Sequence, residues 1–299
     1  MEKLVECVPN FSEGRNQAVL QAIAEKISAV EGVKLLDYSA DYDHNRSVYT
    51  IVGQPQAVSQ SIFAAAAYAL EHIDLSKHQG KHPRIGAVDV IPFIPYRNMN
   101  MAEAADVAIN LGKRFADELA VPVYLYEEAA QNLQRKNLAD IRRGGFEGLA
   151  AKMTDALWRP DFGPAKPHPT FGATVIGARW FLIAYNVNLK SNDITIAKAI
   201  AKKIRQSSGG LPNVKALGIM LEKRNIVQVS CNLTDYRITP IHIVYEAIKK
   251  EAAVYGVEVL ESEIIGLPPL QAIIESAAHY LKLEDFKASD VLEDRMTNV

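Results

Sequence analysis

The sequence predicts an α+β fold in which one order of elements, β-α-β-β-α-β, occurs twice within 299 residues. Three observations predict it. Apolar runs that favour strands alternate with segments of helical periodicity, a polar turn separates the second and third strands of each half, and a proline-rich stretch lies between the halves. This order is the split-βαβ, or ferredoxin-like, pattern. One larger α/β sheet is the alternative.

The first half begins with a strand at residues 4–8, which ends at Pro9 because proline has no backbone N–H to donate. Ser12 is expected to cap the helix that follows, since its hydroxyl can accept an unpaired backbone N–H. Apolar residues at spacings of four, four and three mark one face of this helix: Val19, Ile23, Ile27 and Val30. A strand pair, a second helix and a closing strand complete the half, at residues 33–38, 48–52, 56–73 and 88–94.

The second half repeats this order. Residues 181–189 are strand-like, and Ile196, Ile200 and Ile204 mark a helix face. Two strands then flank a short polar turn, a helix begins after Thr239 and Pro240, and a closing strand and a last helix follow. We predict these strands over residues 214–221, 226–233 and 257–260, and the last helix from near Pro269.

The material between the halves differs from both of them. It contains a helix over residues 101–119, a strand over residues 121–125, and four prolines within residues 158–169. So many prolines exclude a helix or a central strand, so this stretch is either a plain linker or a loop that lines a cleft between the halves. We place the two subdomains at residues 1–178 and 179–299.

Composition and charge exclude several classes of protein. The chain has 33 Lys and Arg against 35 Asp and Glu, a net charge of −2, whereas domains that bind nucleic acid through their overall field are basic. Its two cysteines are too few for a disulfide framework or a four-cysteine zinc site. No apolar run approaches the roughly 20 residues that span a bilayer, and no signal-peptide core begins the chain. We expect a cytoplasmic protein with no nucleic-acid or membrane partner.

Residues 76–84 form the most unusual segment, with two histidines, two lysines, one arginine and no acid. It could be a solvated basic loop, but it lies between a helix and a strand, where loops often carry function. A metal site is a second possibility, because His78 and His82 are four residues apart. Gly80 and Pro83 interrupt any helix there, however, and the neighbouring cations would repel a metal ion. The segment is best suited to proton transfer by an imidazole on a substrate that carries carboxylates.

A second candidate is the polar turn that contains His44 and Arg46. Asp37, Asp41, Asp43 and Asp89 are acids near it in sequence, and any of these carboxylates could orient an imidazole. No P-loop, dinucleotide-binding or nucleophile-elbow motif is present in the chain. The sequence therefore gives two polar loops in the first half as the candidate site.

Several blocks of this sequence closely resemble the glutamate formiminotransferase family. The match covers nearly the whole chain, and many separate blocks together make it specific. The blocks are residues 5–14 (VECVPNFSEG), 45–50 (NRSVYT), 81–90 (KHPRIGAVDV), 122–126 (PVYLY), 161–164 (DFGP), 177–179 (GAR) and 181–189 (FLIAYNVNL).

The resemblance implies transfer of the formimino group from N-formimino-L-glutamate to N5 of tetrahydrofolate, in histidine degradation. It also implies two similar subdomains with a folate cleft between them, and a homodimer. Tetrahydrofolate is then a co-substrate, and no metal is expected. Animal members continue into a cyclodeaminase domain, so we expect a separate cyclodeaminase to release ammonia here.

The resemblance also implies roles for residues. His82 matches the catalytic histidine, as general base and then general acid, and Lys81, Arg84 and Arg46 are candidates for binding substrate carboxylates. Ser39 stands where animal members have an acid, so that role is not carried over. The folate-contacting loop falls on Gly163, Pro164, Ala165, Lys166, Pro167, His168, Pro169, Thr170, Phe171 and Gly172. Four of these match by identity: Gly163, Pro164, Pro169 and Gly172.

Two other classes of function remain open from the residues. One is a module that binds folate or another anionic metabolite without turnover, since a fold does not prove chemistry. The other is a metal-dependent amidohydrolase. An assay with both substrates separates these from a transferase, and chelation separates the metal enzyme from the rest.

Overall fold

The computed structural model describes residues 2–80 and 83–297. The chain forms two compact units, the first ending at Arg179 and the second beginning at Trp180. In the described parts of the chain, no helix is long and apolar enough to cross a membrane.

The first unit is built on a seven-stranded sheet. Its strands are β1 (Leu4–Cys7), β2 (Asn10–Phe11), β3 (Val33–Asp41), β4 (Arg46–Gly53), β5 (Val88–Arg97), β6 (Val123–Glu127) and β7 (Thr174–Ala178). Its α-helices are α1 (Gln17–Ser28), α2 (Pro55–His72), α3 (Met101–Leu119), α4 (Leu138–Arg142) and α5 (Gly145–Lys152). Strands β1 and β2 both lie between β4 and β5, and β3 pairs with the outer side of β4.

This arrangement confirms the ferredoxin-like order predicted for the first half. If β1 and β2 are counted as one broken strand, the antiparallel part of the sheet runs β5, β1/β2, β4, β3, and α1 and α2 are the two connecting helices. The sheet then continues beyond that motif, because β7 pairs parallel with β5, and β6 pairs parallel with β7. The sequence did not reveal β7, which has only five residues and follows the proline-rich stretch directly.

The predicted role of Ser12 as a helix cap is wrong. The chain resumes pairing after Pro9 as β2, so helix α1 begins later, and Asn16 caps it by accepting from the backbone N–H groups of Ala18 and Val19. Ser12 instead donates its hydroxyl to the carbonyl of Gly86, at 2.7 Å. It thus joins the N-terminal segment to the loop that precedes β5.

The second unit is a four-stranded antiparallel sheet in the order β11, β8, β10, β9. These strands are β8 (Ile183–Leu189), β9 (Val214–Leu221), β10 (Ile226–Leu233) and β11 (Val259–Ile265). Its helices are α6 (Ile194–Ile204), α7 (Ile241–Val254), α8 (Leu270–Leu281) and α9 (Leu292–Thr297). The ferredoxin-like order predicted for the second half is therefore confirmed as well. One face of the sheet packs its apolar side chains against α6 and α7, with Val187, Val229, Ile200 and Val244 fully buried.

Tyr49 is at the centre of the first core and is fully buried. Its ring lies edge-on to Phe11 and stacked on Tyr38, and its hydroxyl donates to the carbonyl of Leu20 at 3.0 Å. Burial raises the pKa of Tyr49 to about 12, so the hydroxyl stays protonated. It therefore joins β4 to helix α1.

We expect Tyr49→Phe to lower the free energy of unfolding by about 1 kcal/mol, since it removes one buried hydrogen bond and keeps the ring. Urea denaturation of both proteins measures the difference. Tyr42→Phe is the matched control, because Tyr42 is 69% exposed, and it should change stability by less than about 0.5 kcal/mol. Equal effects from the two substitutions would contradict the assigned hydrogen bond.

Candidate functional site

Two loops of the first unit lie side by side. We call residues 73–87 the histidine loop and residues 163–172 the glycine–proline loop. Backbone hydrogen bonds join them at both ends of the histidine loop, from Leu75 N to Thr170 O and from Ala87 N to Phe171 O, each 2.8 Å. The Ala173 N–H also donates to Ile85 O, at 2.9 Å. The histidine loop and the glycine–proline loop are therefore neighbours, although about 90 residues separate them.

Two glycines permit this close approach. Gly172 has a φ of +78°, and a Cβ atom added there would lie 2.0 Å from the carbonyl oxygen of Ile85. A Cβ atom on Gly86 would lie 2.1 Å from the carbonyl oxygen of Ala173. Any side chain at either position would push the two backbones apart and break the hydrogen bonds between them.

His78 and Arg84 close the histidine loop on itself. Arg84 Nε donates to His78 Nδ1 at 2.9 Å, and Arg84 Nη2 donates to the carbonyl of His78 at 3.1 Å. Arginine only donates, so Nδ1 must be unprotonated, and Nε2 carries the proton that it donates to Asn45 O at 2.9 Å. Burial, together with the nearby charge of Arg84, lowers the pKa of His78 below its usual 6.5. Neutral His78 is therefore the form that these contacts require.

Asn45 connects the histidine loop to the turn between β3 and β4. Its side-chain oxygen accepts from Gly14 N at 2.9 Å, and its Nδ2 donates to Gln79 O at 3.2 Å. Asn45 has a φ of +49°, in the left-handed region that asparagine tolerates better than most residues. Asn45 thus joins three segments through its side chain and its backbone carbonyl: the N-terminal segment, the turn and the start of the histidine loop.

Helices α4 and α5 hold the far side of the histidine loop through ion pairs. The buried carboxylate of Asp89 accepts from Ile85 N at 2.7 Å and pairs with Arg142 of α4 at 2.5 Å. Glu147 of α5 pairs with Arg84, with Nη2 to Oε1 at 2.9 Å. The sequence gave no signal for Arg142 or Glu147, because both are far along the chain from the loop that they contact.

Lys152 ties α4 to α5. Its ammonium donates to the carbonyls of Asp140, Ile141 and Arg143 and lies 3.9 Å from the centre of the Trp158 ring. Burial lowers the pKa of Lys152 to about 8. These contacts satisfy carbonyls at the C-terminal end of α4, which has no further turn to bond them.

His44 and Asp41 form an exposed pair at the turn between β3 and β4. Asp41 accepts from both the backbone N–H of His44, at 2.8 Å, and from its Nδ1, at 2.7 Å. Burial would raise the pKa of Asp41, but the hydrogen bonds and charge of His44 outweigh it and lower the pKa below its usual value. Asp41 therefore orients His44, as the sequence suggested for an imidazole in this turn.

The candidate residues of both polar loops pack around one narrow gap, which is too tight to admit a water molecule in this structure. Its lining residues are Ser12, His44, Asn45, Arg46, His78, Arg84 and Asp89. Burial lowers the pKa of Arg46, and the nearby charge of Arg142 adds to this effect, while Asp89 and Asp41 oppose it. The structure thus brings together Arg46, Arg84 and His78. Lys81 and His82 lie outside the described residues.

The glycine–proline loop presents its residues unequally. Gly163, Ala165, Lys166 and Pro169 are exposed, and Pro164, Pro167, His168 and Thr170 are half-buried. Phe171 is fully buried and its ring belongs to the core of the unit. The ring of Phe171 therefore serves packing, and only its backbone is available to the loop. His168 Nδ1 accepts from Phe171 N at 3.1 Å, which holds the last turn of the loop.

A buried ion pair fixes the start of this segment. Asp161 pairs with Arg135 at 2.6 Å and also accepts from Leu125 N at 2.8 Å. The proline-rich stretch is therefore docked on strand β6 and is not a plain linker. Neither Asp161 nor Arg135 was expected to pair from sequence, because they are 26 residues apart in irregular structure.

Other titratable groups lie away from this pocket. Burial raises the pKa of Glu6 to about 7. In the sheet, however, Glu6 of β1 lies opposite Val52 of β4 and Ile94 of β5, near the ends of these strands that are far from Arg46 and Asp89. A groove of about 600 Å³ lies in the second unit beside α7 and α8. It contains stacked rings of His242 and His279, 4.2 Å apart, and none of the residues that the sequence singled out.

The described residues contain no group of three His, Cys, Asp or Glu side chains arranged to hold a metal ion. Both ring nitrogens of His78 are already engaged, one by Arg84 and one by Asn45. This opposes the use of His78 as a metal ligand, because a ligand nitrogen must present its lone pair to the metal.

We expect Gly172→Ala to destabilise the protein by at least about 3 kcal/mol, because it combines left-handed strain of about 1–2 kcal/mol with a collision against Ile85 O. Gly209→Ala is the matched control, since Gly209 has a φ of +83° and open space around it. It should cost the strain alone. Urea denaturation measures both variants, and equal losses would contradict the close approach of the two loops.

The state of His78 gives a prediction about pH. Its folded pKa is lowered, so the unfolded chain binds the proton more readily, and the contribution of His78 to stability should be lost as pH falls below about 6.5. We expect His78→Gln to show a smaller loss of unfolding free energy between pH 7.5 and 5.5 than the wild type. Nitrogen-15 NMR should detect the Nε2–H form of neutral His78, and an Nδ1–H form would contradict the assignment.

Comparisons with known proteins agree with this architecture. The family model described as "Formiminotransferase domain, N-terminal subdomain" matches residues 4–179, and the model "Formiminotransferase domain" matches residues 184–297. The chain is 47% identical to a glutamate formimidoyltransferase from Streptococcus pyogenes serotype M1, covering 96% of both chains. It is 48% identical to a glutamate formimidoyltransferase from Thermoplasma acidophilum, covering 98% of this chain and 97% of that one.

A formimidoyltransferase-cyclodeaminase from Rattus norvegicus is 48% identical, over 95% of this chain and 53% of the rat protein. Among solved structures, a microcompartment protein from Desulfitobacterium hafniense DCB covers 89% of this chain and 96% of its own, with a TM-score of 0.22 and 11% identity. That likeness is too weak to carry an argument. The two family models, which together cover nearly all of the chain, are decisive: the chain belongs to the formiminotransferase family.

Proposed function

We propose that this protein is a glutamate formimidoyltransferase, which moves the formimino group from N-formimino-L-glutamate to N5 of tetrahydrofolate in histidine degradation. Two relatives that carry the name glutamate formimidoyltransferase are 47% and 48% identical over nearly the whole chain. The structural observation that supports the proposal most is the hydrogen bonding between the histidine loop and the glycine–proline loop. In the family, these loops correspond to the catalytic and folate-contacting segments.

The reaction needs one proton to move between two nitrogens. N5 of tetrahydrofolate attacks the formimino carbon, and the carbon–nitrogen bond to glutamate then breaks. The proton that leaves N5 goes to His82, and His82 returns it to the departing glutamate nitrogen, so L-glutamate and 5-formiminotetrahydrofolate form without a net gain or loss of protons. Such proton transfer is typically worth about 10²–10⁴-fold in rate. Holding both substrates together supplies a further gain.

His82 lies outside the described residues, so its role rests on the family match. The described residues on either side of it in sequence are closely held by their neighbours. A Cβ atom on Gly80 would lie 2.3 Å from His44 O, and Arg84 is bonded to both His78 and Glu147. A base that must meet a bound amine benefits from such a scaffold.

Both substrates carry carboxylates, and we propose that cations of the two polar loops bind them. Arg46 and Arg84 lie at the gap between these loops, and Lys81 is a third candidate by sequence. Arginine suits this role, because its planar guanidinium can bind a carboxylate with two parallel hydrogen bonds. The protein has a net charge of −2, so these local cations, and not the overall field, provide the attraction.

For tetrahydrofolate, we propose contacts from the exposed part of the glycine–proline loop. The side chains open to a ligand are those of Ala165, Lys166 and Pro169, with the backbone of Gly163. The ring of Phe171 is excluded, since it is fully buried. A homodimer and a cytoplasmic location are part of the proposal, and light scattering of the purified protein tests the dimer.

We expect His82→Ala to fold normally, to bind tetrahydrofolate, and to lose about 10²–10⁴-fold in kcat, because only the proton carrier is removed. Steady-state assays with N-formimino-L-glutamate and tetrahydrofolate measure the loss. His72→Ala is the control. Its imidazole is exposed at the end of α2, stacked on Tyr68, and should be replaceable with little change in rate.

Three results would contradict this assignment. Near wild-type turnover by His82→Ala would exclude His82 as the proton carrier. Loss of activity on chelation would favour a metal-dependent amidohydrolase instead. A wild-type protein that binds tetrahydrofolate but forms no product with N-formimino-L-glutamate and tetrahydrofolate would indicate a binding module without turnover.

A further inference from the structure

Arg84 is held along two different edges of its guanidinium group. On one edge, Nε and Nη2 bond to the ring and carbonyl of His78, at 2.9 and 3.1 Å. On the other edge, Nη1 and Nη2 bond to Oε2 and Oε1 of Glu147, at 3.2 and 2.9 Å. The second edge is the paired-donor geometry in which arginine binds carboxylates.

The two partners of the ion pair between Arg84 and Glu147 differ strongly in solvent exposure. The side chain of Arg84 is 11% exposed, whereas that of Glu147 is 67% exposed. In the pairs Arg135–Asp161 and Arg142–Asp89 the carboxylates are buried instead, with side chains 2% and 3% exposed. Glu147 therefore reaches from solvent onto a nearly buried arginine, so it can leave without exposing a buried carboxylate.

His78 would keep Arg84 in place after such a departure. Its two contacts use the Nε edge and do not involve Glu147, and His78 is itself fixed by Asn45. The guanidinium would then present its Nη1 and Nη2 donors with no loss of orientation. A receptor that is already oriented avoids the entropic cost of ordering a long side chain on binding.

The start of helix α5 is built so that Glu147 can reach Arg84. Gly144 caps this helix and Gly145 is its first residue, with φ angles of +94° and +63°. A Cβ atom on Gly145 would lie 2.9 Å from Oε2 of Glu147, so a side chain there would push the carboxylate away from the arginine. The contact thus depends on a glycine at this position.

We propose that the Nη1–Nη2 edge of Arg84 is a carboxylate-binding subsite, which Glu147 occupies in the ligand-free protein and from which a substrate carboxylate displaces it. This inference rests on the proposed function, because it takes the incoming group to be a carboxylate of N-formimino-L-glutamate. Glu147 is then an internal competitor that sets the apparent affinity for that substrate, and His78 is a positioning residue that keeps the guanidinium oriented.

The test replaces the competitor by a neutral isostere. Isothermal titration calorimetry with L-glutamate, the product that carries both carboxylates, gives the dissociation constant for wild type and Glu147→Gln. We expect binding to tighten about 2- to 5-fold, the range that loss of one exposed ion pair allows, and KM for N-formimino-L-glutamate to fall in parallel. Glu118→Gln is the matched control, because it removes an exposed carboxylate paired with Arg114 on α3 and changes the net charge equally.

Two further variants make the test specific to Arg84. Gly145→Ala should weaken binding, because its Cβ would lie 2.9 Å from the position of Glu147 Oε2 and would crowd any carboxylate on this edge of Arg84. In an Arg84→Ala background, Glu147→Gln should have no effect on binding, since the subsite is gone. Nitrogen-15 NMR of His78 checks that the histidine loop keeps its fold in Glu147→Gln.

The outcomes separate this inference from the proposed function. Unchanged or weaker binding of L-glutamate by Glu147→Gln, or no binding by any variant, overturns the subsite, even if the wild type transfers the formimino group. Weaker binding would assign Glu147 to holding Arg84 in place. Tighter binding without any transfer activity in the wild type supports the subsite and overturns the proposed function.

Discussion

The first unit depends on the close approach of two backbone segments that are about 90 residues apart in sequence. Residues 85–87 and 171–173 exchange hydrogen bonds at a separation that no Cβ atom would allow, so Gly86 and Gly172 are required on both sides. This contact orients the glycine–proline loop and places Phe171 in the core. It also holds both ends of the histidine loop against the backbone of residues 170–173.

Charge is distributed around this contact according to burial. Asp89 and Asp161 are almost fully buried, and each is paired with an arginine and accepts a backbone N–H. Burying a carboxylate without such partners would be costly, so these pairs fix geometry more than they add stability. The pair of His44 with Asp41 is exposed, whereas in the pair of Arg84 with Glu147 only the carboxylate is exposed. The buried pairs hold the neighbouring segments together.

Much of the fold could be predicted because its signals are local. The helix predicted over residues 101–119 has the bounds of α3, and the strand runs gave the ferredoxin-like order of both units. The prediction of Ser12 as a cap was wrong because the short strand β2 depends on pairing with distant β4 and β5. Strand β7 was missed for the same reason, since its five residues form a strand by pairing with β5 on one side and β6 on the other.

The candidate site was predictable only in part. The unusual composition of residues 76–84 and the turn at His44 gave the two loops that line the pocket. Their partners could not be found this way, because Arg142 and Glu147 are ordinary charged residues on short helices, and Glu147 is 63 residues from Arg84. Sequence matching also treated Phe171 like its neighbours in the loop, whereas burial separates its ring from theirs. Long-range pairing, and not composition, decides these roles.

The parallel pairing of β5 with β7 has a consequence for how the pocket is assembled. Strands β1 to β5 can pair within the first 97 residues, but β7 ends only at Ala178. The hydrogen bonds from the histidine loop to Thr170 and Phe171 therefore close a long chain segment, whose entropic cost must be met before they form. During synthesis, the histidine loop emerges well before residues 170–173, which it contacts in the folded unit. The contact between the two loops thus forms only when the last strand of this unit has docked, which couples completion of the fold to the arrangement of the candidate site.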